Sequence, residues 1–218
     1  GQGKYEAALR LIMEKIPLPG VLGRICPHPC ETRCRRQDID AAVSVRELKR
    51  FVADAVDFDA LPIPEITPRQ QKVAVIGSGP AGLTAAWDLA LAGYAVTIFE
   101  AMDKLGGMLR YGIPDYRLPP GVLDREIAYL LRTGITAKTG HRLGREVTLR
   151  SLEEDGFSAV FVSIGASGGK KPGISGEDAE GVIDAVDFLR RINSGEMYLP
   201  GSRVAVIGGG NVAVDAAR

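Results

Sequence analysis

Three sets of residues in this 218-residue chain have types and spacings that could do chemistry. The first is Gly77, Gly79 and Gly82, a G-x-G-x-x-G set between a β-branched apolar run at 73–76 and a helical stretch at 83–92. That spacing suits a pyrophosphate. The first glycine allows a tight turn, the second lets backbone approach the phosphates, and the third lets helix pack on strand. The positive end of the helix and its free N–H groups then face the anion. A second apolar run at 95–99 ends in Glu100, eighteen residues after Gly82, where a carboxylate can accept hydrogen bonds from a ribose.

The second set is Cys26, Cys30 and Cys34, spaced C-x3-C-x3-C, and these are all the cysteines of the chain. An odd, clustered set argues against a disulfide framework and for metal in a reducing compartment, by default the cytoplasm. Pro27 and Pro29 disfavour a regular helix through the first interval, so a loop curling round a metal centre suits the spacing. Thiolates are soft ligands, and three of them suit an iron–sulfur cluster or zinc. His28 could complete a Cys3His zinc site, but between two prolines it reads as structural or exposed. A four-ligand centre needs at least one ligand from outside the triplet.

The third set closes the chain. Gly208, Gly210 and Ala213 form G-x-G-x-x-A after an apolar run at 204–207 and before a helix at 212–218. One strand and two helical turns cannot build a nucleotide domain, so the sequence reads as a fragment.

The remaining elements must position these sets. Apolar residues at helical spacing predict an amphipathic helix over 4–15, ended by the proline-rich 16–20. Ser44 and Glu47 read as a capping box opening a helix whose inner face is Val45, Leu48, Phe51, Val52 and Val56. Residues 57–71, with three prolines, read as a linker. The loop at 102–114 carries the pair Gly106-Gly107, which lets backbone approach a ligand near the carboxyl ends of the strands. Then follow a helix over 120–132, a short strand over 135–139 and a short helix over 148–155. A buried strand is expected over 159–164, ending at Gly165-Ala166, another turn suited to backbone approach. A crossover loop over 167–175 leads to a helix over 185–193, and His141 reads as exposed and inert.

Composition excludes several classes. With 27 basic and 27 acidic residues there is no global field for nucleic acid or an anionic membrane. No apolar stretch is long enough to span a bilayer, and no signal peptide is visible.

Two glycine turns separated by a glycine-rich loop already suggest one flavin site and one nicotinamide site. With the cysteine segment in front, the chain resembles the glutamate synthase small-subunit family of FAD- and NAD(P)H-dependent iron–sulfur oxidoreductases. The same module occurs in the N-terminal part of dihydropyrimidine dehydrogenase and in electron-bifurcating ferredoxin:NADP oxidoreductases. The segments carrying the resemblance are GRICPHPCETRC, VRELKRF, VAVIGSGPAGLTAAWDLALAGYAVTIFE, LGGMLRYGIPDYRLP, FVSIGA and VAVIGGGNVAVDAAR, in order along nearly the whole chain.

The resemblance implies an α/β fold: a Rossmann-like FAD domain and the start of an NAD(P)-binding domain, preceded by a small α-helical iron–sulfur domain. The expected division is 1–60 for the iron–sulfur domain, 61–71 for the linker, 72–168 for an incomplete FAD domain, and 169–218 for the crossover and truncated NAD(P)H domain. It further implies that Gly77, Ser78, Gly79, Pro80, Ala81 and Gly82 hold the FAD pyrophosphate and Glu100 the adenosine ribose. Gly107, Met108, Leu109 and Arg110 would lie along the flavin, with Gly165 and Ala166 also touching FAD. Gly208, Gly210, Asn211 and Ala213 would line the NAD(P)H pyrophosphate. Cys26, Cys30 and Cys34 would ligate [4Fe–4S] clusters, of which the family commonly carries two, with Glu47 as a candidate non-cysteine ligand.

The implied function is an electron-transfer enzyme subunit that takes a hydride from NAD(P)H onto FAD and passes single electrons through [4Fe–4S] clusters to a larger partner subunit. No acid–base side chain is demanded, and no redox C-x-x-C is present for a thioredoxin-reductase reaction. Three other readings stand beside it. They are the glutamate synthase small subunit proper, a non-enzymatic electron-conducting module with a vestigial nicotinamide site, and a zinc-stabilised flavoprotein.

Overall fold

The computed structural model describes residues 2–218 except Ser167 and Lys170. Four short helices come first. α1 (Tyr5–Met13) buries Leu9 and Met13, one turn apart on its apolar stripe. α2 (Pro19–Ile25) starts on a proline, whose missing N–H costs nothing at that position and whose φ is preset for helix. Residues 16–20, expected only to end α1, also lead directly into this second helix. α3 (Pro29–Thr32) is a single turn inside the cysteine loop, followed by a 3-10 turn at Arg35–Asp38.

α4 (Val45–Ala55) begins after Ser44 as expected, but by another device. The Ser44 hydroxyl makes no capping bond; Glu31 reaches across from the cysteine loop and accepts the Arg46 N–H at 2.8 Å. Glu47 instead pairs with the Arg46 guanidinium. A carboxylate outcompetes a hydroxyl at the positive end of a helix. The inner face of α4 holds only in part, because Val52 and Val56 pack against the core whereas Val45, Leu48 and Phe51 are exposed and Ala53 is fully buried. α2 crosses so closely that a Cβ on Gly23 would lie 2.7 Å from the Arg50 Cα, which brings the main chain of α4 and the buried Ala53 against α2. Phe51 packs outside, edge-on against Tyr5.

A parallel sheet follows, with β1 (Lys72–Ile76), α5 (Pro80–Leu91), β2 (Ala95–Phe99), α6 (Met108–Tyr111), α7 (Pro120–Leu131), β3 (Thr136–Lys138), α8 (Leu149–Glu154) and β4 (Phe157–Val162) in chain order. Strand order is β3-β2-β1-β4, with Ile76 in register with Phe99 on one side and Val162 on the other. Alternation along the strands sends side chains to two cores. Val75, Val96 and Ile98 face Leu83, Trp87, Leu123 and Ile127, whereas Ala74, Ile76 and Phe99 face Val147 and Leu152.

The first core runs without interruption into the N-terminal helices through Leu9, Met13, Val21 and Ala53. The first part of 57–71 is docked, since Phe58 and Leu61 are buried and the Tyr129 hydroxyl donates to the Pro62 carbonyl at 3.1 Å, while 67–71 are exposed. The cysteine-bearing helices therefore share their apolar interior with the nucleotide-type sheet.

Two expectations fail at the end of the chain. The strand expected over 159–164 is Phe157–Val162, and it lies at the sheet edge with Phe161, Val162 and Ile164 exposed. Among the described residues its only strand neighbour is β1. The strand expected over 204–207 is absent, and Val204 and Ile207 are exposed. Four apolar residues without a ladder partner have nothing to hold them extended. α9 (Ala185–Asn193) and α10 (Asn211–Ala217) form near the positions expected for them. Of the crossover loop expected over 167–175, Ser167 and Lys170 lie outside the described residues.

Candidate nucleotide and metal sites

The first glycine turn lies at the carboxyl end of β1, between the ends of β2 and β4. Gly77 has φ +98°, its N–H donates to the Phe99 carbonyl at 2.8 Å, and a Cβ on it would meet the Ser163 carbonyl oxygen at 2.5 Å. A Cβ on Gly82 would lie 1.9 Å from the Gly77 carbonyl oxygen, so only glycine lets α5 sit on the turn. Gly79 is different. Its φ is an ordinary −66°, and among the described residues no atom beyond its chain neighbours lies within 4 Å of where its Cβ would be. Nothing in the protein requires that glycine, and no side chain caps α5 behind it. An open flank beside uncapped N–H groups fits a pyrophosphate.

Glu100 stands at the end of β2 as expected, but its carboxylate is already engaged. It is buried, accepting the Ser78 N–H at 2.8 Å, the Ser78 hydroxyl, and the Met102 N–H at 2.9 Å. A carboxylate has about four acceptor positions, so one remains for a ribose hydroxyl. Ser78 is itself wholly buried, and its hydroxyl accepts the Gly106 N–H at 3.0 Å. Glu100, Ser78 and Gly106 thus staple β2, the turn and the following loop together. Sequence reasoning missed this staple, which engages the N–H and carbonyl of Ser78 as well as its hydroxyl.

That loop brings Gly107 against the turn, with a Cβ there falling 2.8 Å from the Gly79 Cα; its φ is +52°. The rest of the 107–110 set separates. Leu109 is buried in the first core, and the Met108 side chain folds over Gly112. Arg110 donates to the Leu105 carbonyl and pairs with Asp124. Tyr111 donates to Asp103 at 2.5 Å, and burial, then that bond, push its hydroxyl up to about 12. Gly165 has φ +66° with no neighbour within 4 Å of its Cβ position, just past the carboxyl end of β4, and Ala166 beside it is exposed. A hollow of about 240 Å³ opens near α6, lined by Asp103, Arg110, Tyr111, Leu118 and Leu123, and none of residues 77–82 lines it.

The second turn keeps its local geometry without its strand. Gly208 has φ +134° and its Cβ position lies 3.2 Å from the Ala213 Cβ; Gly210 caps α10, which starts at Asn211. Buried Asp215 on α10 pairs with Arg117 and accepts the Tyr116 hydroxyl at 3.0 Å. The helix of the second turn is therefore anchored to the loop that follows the first.

The three cysteines lie at the surface of the N-terminal helices, Cys30 exposed and the others half-buried. His28 adopts the left-handed conformation, φ 44° and ψ 50°, which lets the C-P-H-P-C loop curl. Backbone N–H groups of Val43, Arg36 and Gln37 are aimed at the Cys34 sulfur and hold its thiol below the usual range, and the His28 N–H lies 3.4 Å from the Cys26 sulfur. Such donors favour thiolates, as a cluster or zinc requires. Among the described residues no three His, Cys, Asp or Glu side chains are close enough to hold one metal ion, so the triplet is not gathered round a single centre. Glu47 is paired with Arg46, and His28 Nδ1 lies 3.3 Å from a Glu31 oxygen without making a hydrogen bond to it.

Residues 71–218 match the pyridine nucleotide-disulphide oxidoreductase family, and residues 1–59 match the family of dihydropyrimidine dehydrogenase domain II, 4Fe-4S cluster. The chain is 44% identical to the NADP(+)-dependent formate dehydrogenase subunit beta of Moorella thermoacetica, over 99% of this chain and 34% of that protein. It is 36% identical to the NADPH glutamate synthase small chain of Bacillus subtilis, over 98% of this chain and 46% of that protein. It thus spans between a third and a half of the length of these relatives. Among solved structures, FprA of Mycobacterium tuberculosis in complex with NADPH superposes with a TM-score of 0.61 at 29% identity, over 69% of this chain and 36% of FprA. No helix is long and apolar enough to cross a membrane among the described residues.

Proposed function

We propose, since the chain belongs to the pyridine nucleotide-disulphide oxidoreductase family and carries a 4Fe-4S module in front of that domain, that it is the electron-transfer part of an NAD(P)H-dependent flavoprotein. FAD, NAD(P)H and [4Fe–4S] clusters would supply the chemistry: a hydride, two electrons and a proton, is accepted from the nicotinamide, and the electrons leave one at a time. The observation that carries this reading is that both modules lie in one chain and share one buried core.

The residues would divide the work as follows. Gly77 to Gly82 and the start of α5 would bind the FAD pyrophosphate through backbone, with Glu100 offering its remaining acceptor position to the ribose. Gly107, held against Gly79, would close one side of that site, and Gly165-Ala166 another. Gly208, Gly210, Asn211 and Ala213 would take the NAD(P)H pyrophosphate, with Asp215 keeping α10 against the 114–118 loop. Cys26, Cys30 and Cys34 would hold iron of the [4Fe–4S] clusters, completed by ligands from outside the triplet. Residues 71–218 contain no cysteine, so the disulphide step in the family's name has no residues there. The electron exit is the 1–60 module, with 61–71 joining it to the FAD unit at 72–168 and the nicotinamide unit at 169–218. A larger electron-accepting subunit would take the electrons in a reducing, cytoplasmic compartment, where three free thiols persist.

The test is anaerobic purification of the full-length protein followed by flavin, iron and sulfide analysis and NAD(P)H titration. Flavin bleached by NAD(P)H, with iron present, is the expected result. A protein that binds no flavin, or holds zinc and no iron, overturns the reading.

A further inference from the structure

α7 touches both halves of the molecule. Its first turn lies against the nucleotide loop, where Leu123 Cδ2 is 2.9 Å from the Cβ position of Gly106 and Asp124 pairs with Arg110. One turn on is Glu126, wholly buried, and its two oxygens accept the N–H groups of Gly20 at 2.6 Å and Val21 at 3.0 Å. Those N–H groups open α2, and the residue after α2 is Cys26, whose own N–H bonds the Leu22 carbonyl at 3.2 Å. We infer that Glu126 is a positioning residue for electron transfer: from the flavin-side helix it holds the main chain of the cysteine-bearing helix and so fixes the distance between flavin and metal. This rests on the function proposed above.

Neighbouring contacts make the same kind of grip. Arg125 donates to the Ala53 carbonyl at 3.1 Å, Tyr129 to Pro62, and Arg132 to Phe58 at 2.8 Å and Asp59 at 3.2 Å. One side of α7 therefore holds the N-terminal module by main-chain atoms, which do not depend on what side chains the module presents. Apolar packing alone tolerates sliding; a buried carboxylate engaged at two points accepts one register. Without Glu126 the Gly20 and Val21 N–H groups would be left without a partner, so the carboxylate both satisfies the start of α2 and fixes where it sits. Gly20 fits the same purpose, because a Cβ on it would lie 2.6 Å from the Glu126 oxygen.

The experiment uses the full-length, cofactor-loaded protein and two variants that break the grip from opposite sides, Glu126→Leu and Gly20→Ala. Amide exchange at Gly20 and Val21 should be slow in the wild type and about ten- to a hundred-fold faster in Glu126→Leu, as unmet buried N–H groups require. Flavin bleaching by NAD(P)H should stay within about twofold of wild type, while onward reduction of the cluster, read by stopped-flow absorbance and EPR, should slow by about tenfold or more, because only that step depends on how the two modules are held. Slow exchange and unchanged onward transfer in either variant overturn the inference. Equal loss in both half-reactions, or wild-type amides that exchange as fast as those of an exposed loop, overturn it too. If wild-type flavin is not bleached by NAD(P)H, the proposed function fails instead, and the exchange data still decide whether Glu126 anchors α2. Should Glu126→Leu not fold, Gly20→Ala carries the same comparison.

Discussion

Glu126 makes stability fall as pH rises, and the size follows from its burial. Desolvation pushes its carboxyl up from 4.5 to about 7, against the opposing pull of the Val21 and Gly20 N–H groups and of Arg125 and Arg24. The folded protein therefore holds the proton more tightly than the unfolded chain. Between the unfolded and folded values the native state binds more protons, so stability is fully present below about 4.5 and is lost as pH rises to about 7. A rise of two and a half pH units corresponds to about 3 kcal/mol. For a chain of this size that is roughly 6–12 °C in melting temperature. The perturbation is Glu126→Gln, which keeps volume and one acceptor and cannot ionise. The assay is urea unfolding of wild type and variant at half-unit steps from pH 4.5 to 8. Other groups titrate in both proteins and cancel in the difference, provided Arg24, Arg125 and Asp54 around the site keep their pairings. The variant should gain about 3 kcal/mol on the wild type across this range. Parallel curves would refute the argument, because they would show that Glu126 titrates as an exposed carboxylate.

Three further outcomes separate ligand from fold. Gly79→Ala, whose Cβ meets nothing, should change stability by less than about 0.5 kcal/mol yet lower the flavin content of purified protein, whereas Gly82→Ala, with its Cβ 1.9 Å from a backbone oxygen, should cost about 1–3 kcal/mol as well. Full flavin retention in Gly79→Ala would remove that residue from the site. Asp215→Asn loses the charge in its pairing with Arg117 and Tyr116. It should leave flavin content alone and raise the KM for NAD(P)H about tenfold, and an unchanged KM would detach that anchor from nicotinamide binding. Serine at Cys26, Cys30 or Cys34 should lower iron and acid-labile sulfide measured after anaerobic purification; a cysteine whose loss leaves both unchanged is not a ligand.

What could be read from sequence was whatever is fixed within a few residues. β1, the glycine turn, α5 and β2 were legible because each signal, β-branched run, glycine spacing, helical period, acts on its own neighbours. Gly77 has φ +98° and Gly82 accepts no Cβ for reasons that the G-x-G-x-x-G spacing already contains. The bonds of Ser78 to Glu100 and Gly106 left no such signal, because those partners are 22 and 28 residues away. The α4 face was misjudged because the orientation of an amphipathic helix is settled by what crosses it, here the close approach of Gly23.

Glu126 was the largest omission, and it did leave a trace. It stands between Leu123 and Leu130, on the stripe that also carries Ile127, and an acid on the buried face of a helix is rare unless paired. No pattern within α7 names the partner, since Gly20 and Val21 are more than a hundred residues earlier. The clue from the other end, Pro19-Gly20 at the start of a helix with no side-chain cap of its own, was equally local and equally incomplete. Only the fold joins an uncapped helix start to an unpaired acid. That junction lies between the module with the thiolates and the module with the glycine turns, where geometry matters more to electron transfer than stability does. A carboxylate that costs about 3 kcal/mol at neutral pH is an odd choice for holding two modules together, and a sensible one for holding them in a single register.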